Sequence, residues 1–259
     1  MMHNELRDKI SSGKKAVGTF LEIGSTSMVE CLALGGFDYI IIDTEHGPFE
    51  TESVMEFVCA SRRRNMTPLV RTRDASRPGI LKNLDAGAMG LIIPDIHSVE
   101  EVKQVVEYGK YYPLGKRGVA FGRGCGYGME KEQPMESYFE ECNRETMIIP
   151  QCETAGCLEN IETIASLPGV DGIFVGPYDL STSLGKPGQF SDPVISEAID
   201  RILRACKAAV KPCFIYADNA AGSRAYFQQG FDGVTLSMDA LLVIRSMKKM
   251  IQEIWTEVR

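Results

Sequence analysis

The sequence predicts a (β/α)8 barrel, and three observations lead to this prediction. Eight short apolar runs alternate with longer amphipathic stretches, which is the order typical of parallel strands joined by helices. Glycine ends several of the amphipathic stretches just before the next apolar run, as at Gly35-Gly36 and Gly230. The chain length of 259 residues is also the usual size of one such barrel.

Each element follows from its own stretch of sequence. We predict strands at Ala16–Ile23, Asp38–Asp43, Pro68–Arg71, Gly90–Pro94, Met147–Cys152, Gly172–Val175, Pro212–Tyr216 and Gly233–Ser237. We predict a helix after each strand, at about 26–35, 51–64, 77–86, 98–110, 156–166, 193–209, 219–229 and 239–257. We therefore expect residues 1–259 to form one barrel domain, with a glycine-rich loop at about 111–133 and a C-terminal helix at about 239–257.

An open doubly wound sheet is the alternative fold. Such a sheet usually carries a glycine-rich nucleotide-binding turn directly after an early strand. The glycine-rich run Gly122–Gly126 does not follow an early strand. The barrel is therefore the favoured interpretation.

Charge and composition exclude several functions. The net charge is −7, and the only basic run, Arg62–Arg64, lies at the end of a predicted helix, where cations complement the helix dipole. Nucleic acids and anionic membranes are therefore not expected partners. No apolar run reaches about 18 residues and the first residues are polar, so we expect neither a membrane span nor a signal peptide. The eight cysteines form no C-x-x-C pair, which predicts a cytoplasmic protein without disulfides or zinc.

Acidic and basic side chains follow the predicted strands where these end. Glu153 follows the fifth strand and Asp179 the sixth. Asp43 ends the second strand, shortly before His46, and Arg71 ends the third. In a barrel the carboxyl ends of all strands meet on one face, where such barrels do their chemistry. Two carboxylates suit Mg²⁺ or Mn²⁺, a histidine suits acid–base work, and an arginine suits a carboxylate or enolate oxygen.

Each of these residues also has a purely structural interpretation. Glu153 stands beside the start of the next helix, and Asp179 is placed to cap a turn. His46 fits a histidine bonded within its own loop, and Arg71 fits an ion pair with an acid at the end of the second strand. The pattern of residues alone leaves metal binding and these structural roles both open.

Two glycine-containing segments complete the candidates. The turn from Gly176 to Leu180 places backbone N–H groups before a helical stretch, where they suit a carboxylate or phosphate. The stretch 111–133 is long and rich in Gly, Tyr and Pro. Because it comes after the fourth strand, we expect it to leave the catalytic face as a substrate lid or subunit contact, with plain disorder as the alternative.

Together these residues resemble the HpcH/HpaI aldolase family, the metal-dependent class II pyruvate aldolases such as 4-hydroxy-2-oxoacid aldolase and 2-dehydro-3-deoxyglucarate aldolase. The matching stretches run in family order over nearly the whole chain: Phe37–His46, Pro68–Arg71, Leu84–Gly87, Tyr112–Val119, Gln151–Thr154 and Gly169–Ser181. The last stretch is highly specific in combination with the one that ends in Glu45-His46.

The resemblance implies a barrel of the phosphoenolpyruvate/pyruvate-domain type that forms a homo-oligomer, a hexamer, with the last helix packed on a neighbouring subunit. It implies a divalent metal cofactor, Mg²⁺, Mn²⁺ or Co²⁺, with Glu153 and Asp179 as ligands. The implied reaction cleaves or forms the C3–C4 bond of a 4-hydroxy-2-oxo acid. Its products are pyruvate, or a related 2-oxo acid, and an aldehyde, and it passes through a metal-stabilised enolate.

The resemblance also assigns roles to single residues. It implies His46 as the acid–base residue, Asp85 as a partner of His46, and Arg71 beside the keto or enolate oxygen. Backbone N–H groups near Tyr178 and Asp179 would hold the pyruvate carboxylate. The substrate-binding residues that it implies are Gln151, Asp43, Gly176, Pro177 and Tyr178.

The chain departs from the family pattern near the substrate. Tyr178 is bulky where members of the family commonly carry a small residue, which narrows the pocket for the pyruvate methyl group or for the aldehyde. The loop Ala120–Gly128 lacks the polar residues usual in the sugar-acid aldolases, and Phe20 replaces a commonly larger aromatic. These differences leave the identity of the aldehyde open.

Three other functions are possible. An acyl-CoA carbon–carbon lyase of the citrate lyase β-subunit or malyl-CoA lyase type shares the metal–enolate chemistry, but would favour basic residues at the barrel mouth. A Schiff-base aldolase needs a lysine at the carboxyl end of a strand, whereas Lys211 precedes its strand. The third possibility is a non-catalytic barrel that binds a small acid.

Overall fold

Eight parallel strands close into a barrel in the structure, a computed structural model that describes residues 3–129 and 134–258. The strands pair in chain order, and the eighth pairs with the first. They are β1 (Ala16–Leu21), β2 (Tyr39–Asp43), β3 (Thr67–Arg71), β4 (Gly90–Ile93), β5 (Met147–Cys152), β6 (Ile173–Val175), β7 (Cys213–Ala217) and β8 (Gly233–Met238). The predicted (β/α)8 fold is confirmed.

Twelve α-helices surround or cap the barrel in the described part of the chain. They are α1 (Glu5–Ser11), α2 (Thr26–Leu34), α3 (Thr51–Arg62), α4 (Arg77–Asp85), α5 (Val99–Gly109), α6 (Met135–Glu145), α7 (Ala155–Glu159), α8 (Ile161–Ser166), α9 (Pro177–Ser183), α10 (Pro193–Ala208), α11 (Ala220–Gln229) and α12 (Asp239–Val258). A 3-10 segment spans Arg123–Gly128.

The strands agree with the sequence-based prediction more closely than the helices do. All eight predicted strands are present, and their ends differ by at most two residues. The structure adds α1, α6 and α9 to the eight predicted helices. The helix predicted at 156–166 is two helices, because Asn160 leaves the helical conformation (φ −105°, ψ 12°). The Asn160 side chain instead donates a hydrogen bond to the Gly156 carbonyl at 2.9 Å, a local bond that competes with helix continuation.

The core has two layers, one inside the barrel and one between the strands and the helices. In β2, Tyr39 and Ile41 belong to the inner layer, while Ile40 and Ile42 belong to the outer one. Successive side chains of a strand point to opposite faces, and both faces are covered here. This explains why the strands are continuous apolar runs in the sequence.

A buried lysine lies at the amino-terminal end of the barrel. Lys110, which follows α5, has a side chain that is 1% exposed, and its Nζ lies 2.7 Å from Asp171 Oδ2. Lys110 Nζ also donates to the backbone carbonyls of Asn143 at 2.8 Å and Thr146 at 2.5 Å. These groups stand directly before β5 and β6, so the lysine joins two strands at their starts.

Helix α1 closes this same end of the barrel. The backbone N–H of Asn4, its N-cap, donates to Glu145 Oε2 at 2.9 Å, and its side-chain amide donates to the carbonyls of Met89 and Glu145. Arg7 forms an ion pair with Asp171 at 2.9 Å. The amino end is therefore sealed by polar groups that bind one another.

The glycine-rich stretch at 111–133 does not leave the catalytic face, so that expectation was wrong. The stretch follows α5, which returns the chain from the end of β4 to the amino end of the barrel, where Lys110 lies. Arg117 then donates to Asp85 Oδ1 at 2.9 Å, at the carboxyl end of α4. Residues 130–133 lie outside the described residues. A subunit contact by this stretch stays a prediction.

Among the described residues, no helix combines the length and the apolar character needed to cross a membrane.

Candidate active site

An arginine–carboxylate fork lies at the carboxyl ends of β2 and β3. Asp43 and Arg71 are register partners in the parallel ladder, so their side chains lie side by side. Arg71 Nε donates to Asp43 Oδ1 at 2.9 Å and Nη2 donates to Oδ2 at 2.6 Å. Arg71 Nη1 also lies 3.2 Å from Glu45 Oε2. The structure therefore contains the ion pair that was the structural interpretation of Arg71. This pair fixes the guanidinium at the opening formed by the carboxyl ends of the strands, which we call the mouth.

The ion pair shifts the pKa values of both Asp43 and Arg71. Burial acts to raise the pKa of Asp43, but the hydrogen bonds and charge of Arg71 outweigh it and hold that pKa below its usual value. Burial acts to lower the pKa of Arg71, but the bonds and charge of Asp43, with Glu45 and Glu153 further away, raise it. The mouth thus keeps a fixed cation on β3 at any physiological pH.

Glu22 also belongs to this cluster, although the sequence analysis did not single it out. It follows β1, and Asp239 fixes its backbone: Glu22 N–H donates to Asp239 Oδ1 at 2.8 Å and Ile23 N–H donates to Oδ2 at 3.0 Å. Burial, the charge of Asp43 and a hydrogen bond with Asp43 raise the pKa of Glu22 to about 7. Glu22 is therefore a carboxyl group that gains and loses its proton near neutral pH.

A second carboxylate cluster lies at the ends of β5 and β6. Glu153 Oε1 accepts a hydrogen bond from the Asp95 backbone N–H at 2.8 Å, and Oε2 accepts one from the Gln151 side-chain amide. Burial raises the pKa of Glu153, and the negative charge of Asp179 adds to this rise. Asp179 lies in the first turn of α9 and is exposed at the mouth. The two predicted metal ligands therefore lie within electrostatic reach of one another.

Gly176 brings the backbone close to this cluster. A Cβ atom added to Gly176 would lie 2.9 Å from Glu153 Oε2 and 3.1 Å from Gln151 Nε2. Pro177 follows as the first residue of α9 and is buried, while Tyr178 is 46% exposed. A side chain at position 176 would therefore enter the space beside the Glu153 carboxylate.

The chemistry of this cluster fits a divalent cation. Gln151 Oε1 is buried without a hydrogen-bond partner among the described residues; Glu45 Oε2 also makes no hydrogen bond there, although the Arg71 guanidinium lies 3.2 Å away. Buried oxygen atoms of this kind are usually satisfied, and a bound ion is one of the explanations for an exception. The described residues contain no group of three or more His, Cys, Asp or Glu arranged for a metal. Protein ligation by Glu153 and Asp179 alone suits Mg²⁺ or Mn²⁺, which retain water and substrate oxygens as ligands.

Aromatic side chains and an aspartate line the opposite side of the mouth. The Tyr178 hydroxyl donates to Asp218 Oδ1 at 3.1 Å and Oδ2 at 2.9 Å, and the Tyr216 hydroxyl donates to Oδ1 at 3.2 Å. Tyr216 lies in β7, and Asp218 follows the end of that strand. Burial raises the pKa of Tyr216 to about 12, assisted by the charge of Asp218, so this phenol stays protonated.

His46 and Asp85 do not come together within one chain. His46 lies on the loop after β2, its side chain is 72% exposed, and Nε2 is 4.0 Å from Glu45 Oε2. Asp85 is the last residue of α4 and binds Arg117. Because α4 runs away from the mouth, Asp85 lies at the other end of this helix. Within one chain Asp85 therefore does not reach His46, and the pairing of the two residues and a catalytic role for either stay predictions.

The sequence analysis missed two acids that its own rule about strand ends could have found. Glu22 was placed inside a strand predicted to run to Ile23, whereas β1 ends at Leu21 and leaves Glu22 at the mouth. Asp218 follows the seventh strand as Asp179 follows the sixth. The contact between Glu22 and Asp239 carries no local sequence signal, because 217 positions separate them.

A closed (β/α)8 barrel with carboxylates, an arginine and aromatic side chains at its carboxyl-end mouth is the architecture of an enzyme of the barrel class. The chain belongs to the HpcH/HpaI aldolase/citrate lyase family, whose profile matches residues 16–246. The family resemblance and the prediction of a lyase are thereby confirmed.

Relatives named as aldolases support this assignment. A 2-keto-3-deoxy-L-rhamnonate aldolase of Klebsiella pneumoniae subsp. pneumoniae is 29% identical over 253 residues, covering 97% of this chain and 93% of that protein. A hydroxypyruvate/pyruvate aldolase of Paraburkholderia phytofirmans is 32% identical over 258 residues, covering 97% of each chain. The crystal structure of a family protein from Burkholderia cenocepacia J2315 superposes with a TM-score of 0.89 at 32% identity, covering 97% of this chain and 99% of that one.

Proposed function

We propose that this protein is a metal-dependent class II aldolase that cleaves or forms the C3–C4 bond of a 4-hydroxy-2-oxo acid, with pyruvate or a related 2-oxo acid and an aldehyde as products. The observation that carries the proposal is that two groups of charged side chains face one another at the mouth. They are the Glu153 and Asp179 carboxylates, which follow β5 and β6, and the Arg71 guanidinium at the end of β3. Relatives named as aldolases over nearly the whole chain support the same reaction.

Glu153 and Asp179 would hold the divalent cation, which would be Mg²⁺, Mn²⁺ or Co²⁺. The bound cation would supply positive charge next to the C2 oxygen and the carboxylate of the 2-oxo acid. Gln151, whose side-chain carbonyl oxygen has no hydrogen-bond partner in the described part of the chain, lies beside Glu153 and lines the same space. The backbone N–H groups of Tyr178 and Asp179, in the first turn of α9, have no helical partners and suit the substrate carboxylate.

Arg71 stabilises the negative charge that develops during the reaction. Its guanidinium, oriented by Asp43, stands where it can stabilise negative charge that develops on the C2 oxygen. His46, directly or through a water molecule, takes the proton of the C4 hydroxyl. The C3–C4 bond then breaks, its electron pair moves into the oxo acid as an enolate, and the aldehyde leaves. A proton added at C3 completes the pyruvate.

Quaternary structure and location belong to the same proposal. We infer that the single barrel, residues 1–259, forms a homo-oligomer, a hexamer, through α12. This helix exposes six large apolar side chains, which favour burial against another subunit: Ile244, Met247, Met250, Ile251, Ile254 and Trp255. Seven described cysteines are free thiols, which fits a cytoplasmic protein. Sedimentation at micromolar concentration should give six times the chain mass.

Metal-dependent pyruvate release tests the reaction directly. Enzyme treated with EDTA is incubated with 4-hydroxy-2-oxopentanoate or with a 2-keto-3-deoxy sugar acid, and pyruvate is then measured before and after addition of Mg²⁺, Mn²⁺ or Co²⁺. We expect release only with metal. Release that persists without metal, or an adduct trapped by borohydride with pyruvate, would contradict the proposal and indicate a Schiff-base enzyme.

The acyl-CoA lyase is the second candidate function. Malyl-CoA serves as its test substrate in the same assay. The mouth offers little to the phosphates of coenzyme A, because its charged groups are mostly acids: Glu22, Asp43, Glu45, Glu153, Asp179 and Asp218. We therefore expect no cleavage of malyl-CoA. Binding of pyruvate without turnover of any substrate would favour the non-catalytic barrel instead.

A further inference from the structure

A continuous row of aromatic rings connects the arginine clamp to Asp218. The Arg71 guanidinium carbon lies 4.7 Å from the centre of the Phe20 ring, on β1. The Phe20 ring is 6.2 Å from Tyr216, on β7, and Tyr216 is 5.9 Å from Tyr178 in α9. Asp218 therefore lies on the same mouth as the reacting groups, at the far end of this aromatic wall.

The carboxylate of Asp218 is fixed in place and still able to accept further hydrogen bonds. Two phenols, Tyr178 and Tyr216, donate to it. An ionised carboxylate offers about four acceptor positions and no donor, so two phenols do not saturate it. Arg245 Nη1 donates to the Asp218 backbone carbonyl at 2.6 Å and lies 3.3 Å from Ser237 Oγ, which fixes the main chain behind the side chain.

Such a group recognises hydrogen-bond donors. A hydroxylated carbon chain presents O–H donors to the carboxylate and C–H groups to the ring faces, whereas an unsubstituted alkyl chain would leave the carboxylate without a partner. An aldehyde that ends in a second carboxylate would bring negative charge to a mouth that already contains several acids. Arg245, which is exposed and bonds to the Asp218 backbone, would oppose this repulsion.

We propose that Asp218, positioned by Tyr178 and Tyr216, determines the specificity for the aldehyde half of the substrate and selects an uncharged aldehyde that carries hydroxyl groups. This inference rests on the proposed aldolase function. Tyr178 and Tyr216 are positioning residues, because they act through the Asp218 carboxylate. The bulky Tyr178 is thus part of a recognition surface and does more than narrow the pocket.

The test compares three acceptors in the addition of pyruvate: glyceraldehyde, propanal, which has the same chain length without hydroxyls, and succinic semialdehyde, which ends in a carboxylate. The measured quantity is the ratio of kcat/KM for glyceraldehyde to that for propanal. We expect a preference for glyceraldehyde in the natural protein, and Asp218→Asn should reduce this ratio about tenfold or more. Tyr216→Phe should reduce the ratio less, while Asp200→Asn, an exposed aspartate on α10, should leave it unchanged.

A second readout separates this inference from the proposed function. Metal-dependent exchange of the pyruvate methyl protons in D₂O, followed by NMR, needs no aldehyde. Exchange in the natural protein together with an unchanged ratio in both Asp218→Asn and Tyr216→Phe would overturn the inference and leave the aldolase function standing. A preference for succinic semialdehyde that is lost in Arg245→Gln would also overturn it, in favour of Arg245. Absence of both exchange and addition would overturn the two proposals together.

Discussion

At its amino-terminal end the barrel buries Lys110 against Asp171, and at its carboxyl-terminal end it buries Asp43 against Arg71. At the amino end, the contacts of the Lys110 ammonium with Asn143, Thr146 and Asp171 hold β5 and β6 together. The carboxyl end instead contains Gln151 Oε1 without a partner among the described residues, and Glu22, whose pKa is raised to about 7.

The difference shows that the charged groups at the amino end stabilise the fold, whereas those at the carboxyl end remain able to bind a ligand or exchange a proton. A buried ion whose partners are complete has nothing left to offer a ligand. Unsatisfied atoms and carboxyl groups that titrate near neutral pH reduce stability, and they are typical of sites that bind or react. Four substitutions test this contrast, from the largest expected effect to the smallest.

Asp179→Ala should have the largest effect, at the carboxyl end. Loss of one of two carboxylate ligands should reduce metal-dependent turnover about 1,000-fold or more, because the cation would supply several kcal/mol of charge stabilisation. Circular dichroism should show an unchanged fold, since Asp179 is exposed. Full activity in this variant would remove Asp179 from the site.

Lys110→Ala should have the largest effect on stability. It leaves Arg7 to pair with Asp171 and takes the donor away from the buried carbonyls of Asn143 and Thr146, which costs about 3–5 kcal/mol. For a chain of this size, we expect Tm to fall by roughly 10 °C, while kcat per folded molecule stays the same. Lys103→Ala, on the exposed face of α5, is the matched control and should change stability by less than about 0.5 kcal/mol. A small change in Lys110→Ala would mean that the contrast between the two ends is wrong.

Gly176→Ala should weaken metal binding without removing a ligand. The new Cβ would lie 2.9 Å from Glu153 Oε2, so the carboxylate has to move. Changes to groups that orient ligands commonly cost about 10–100-fold in metal affinity. Titration calorimetry with Mn²⁺ measures this directly. In the control Gly222→Ala, the nearest atom to the added Cβ is 3.8 Å away, and unaltered affinity is expected. Equal Mn²⁺ affinities in the two variants would show that the space beside Gly176 does not affect metal binding.

Glu22→Gln should change the pH dependence of stability. The folded pKa of Glu22 is about 7, above its ordinary value of 4.5, so the folded state keeps a proton that the unfolded state loses between these values. Folding stability therefore falls as pH rises from about 4.5 to 7. Glutamine cannot ionise, so at pH 8 the variant should gain roughly 1 kcal/mol over the natural protein, a value reduced because the carboxyl is half exposed.

Urea unfolding at pH 4.5 and pH 8 tests this last prediction. At pH 4.5 the two proteins should have equal stability, because Glu22 is protonated in the folded state. Glu197→Gln, on the exposed side of α10, should show no such difference between the two pH values. A variant that is less stable than the natural protein at pH 8 would show that the ionised form of Glu22 is favourable.

The sequence predicted the strands well because both faces of each strand are covered, so a strand is a short apolar run of its own. It predicted Asp43 and Arg71 as mouth residues because each ends such a run. It did not predict that Asp85 would bind Arg117, because the direction of α4 decides on which end of the barrel Asp85 lies. The family resemblance supplied the pairing with His46, which stays a prediction because the two residues do not meet within one chain.

The sequence did not predict the contacts at the mouth that join segments far apart in the chain. Asp239 fixes Glu22 across the seam between β8 and β1, and Tyr178 reaches Asp218 over 40 positions. Neither contact changes the local pattern of apolar and polar residues. Tyr178 was recognised as unusual by comparison with the family, but its partner became visible only when the ends of β6 and β7 stood next to one another.

The seal at the amino end also has a consequence for the order in which the chain folds during synthesis. Asn4 and Arg7 leave the ribosome first, yet their partners Glu145 and Asp171 are made about 140 and 160 residues later. β1 waits still longer for β8, since Ala16 pairs with Gly233. Contacts so distant in sequence form slowly. The nascent chain can pair β1 with β2 early, but it must keep the other edge of β1 open, and exposed to chaperones, until most of the barrel has been translated.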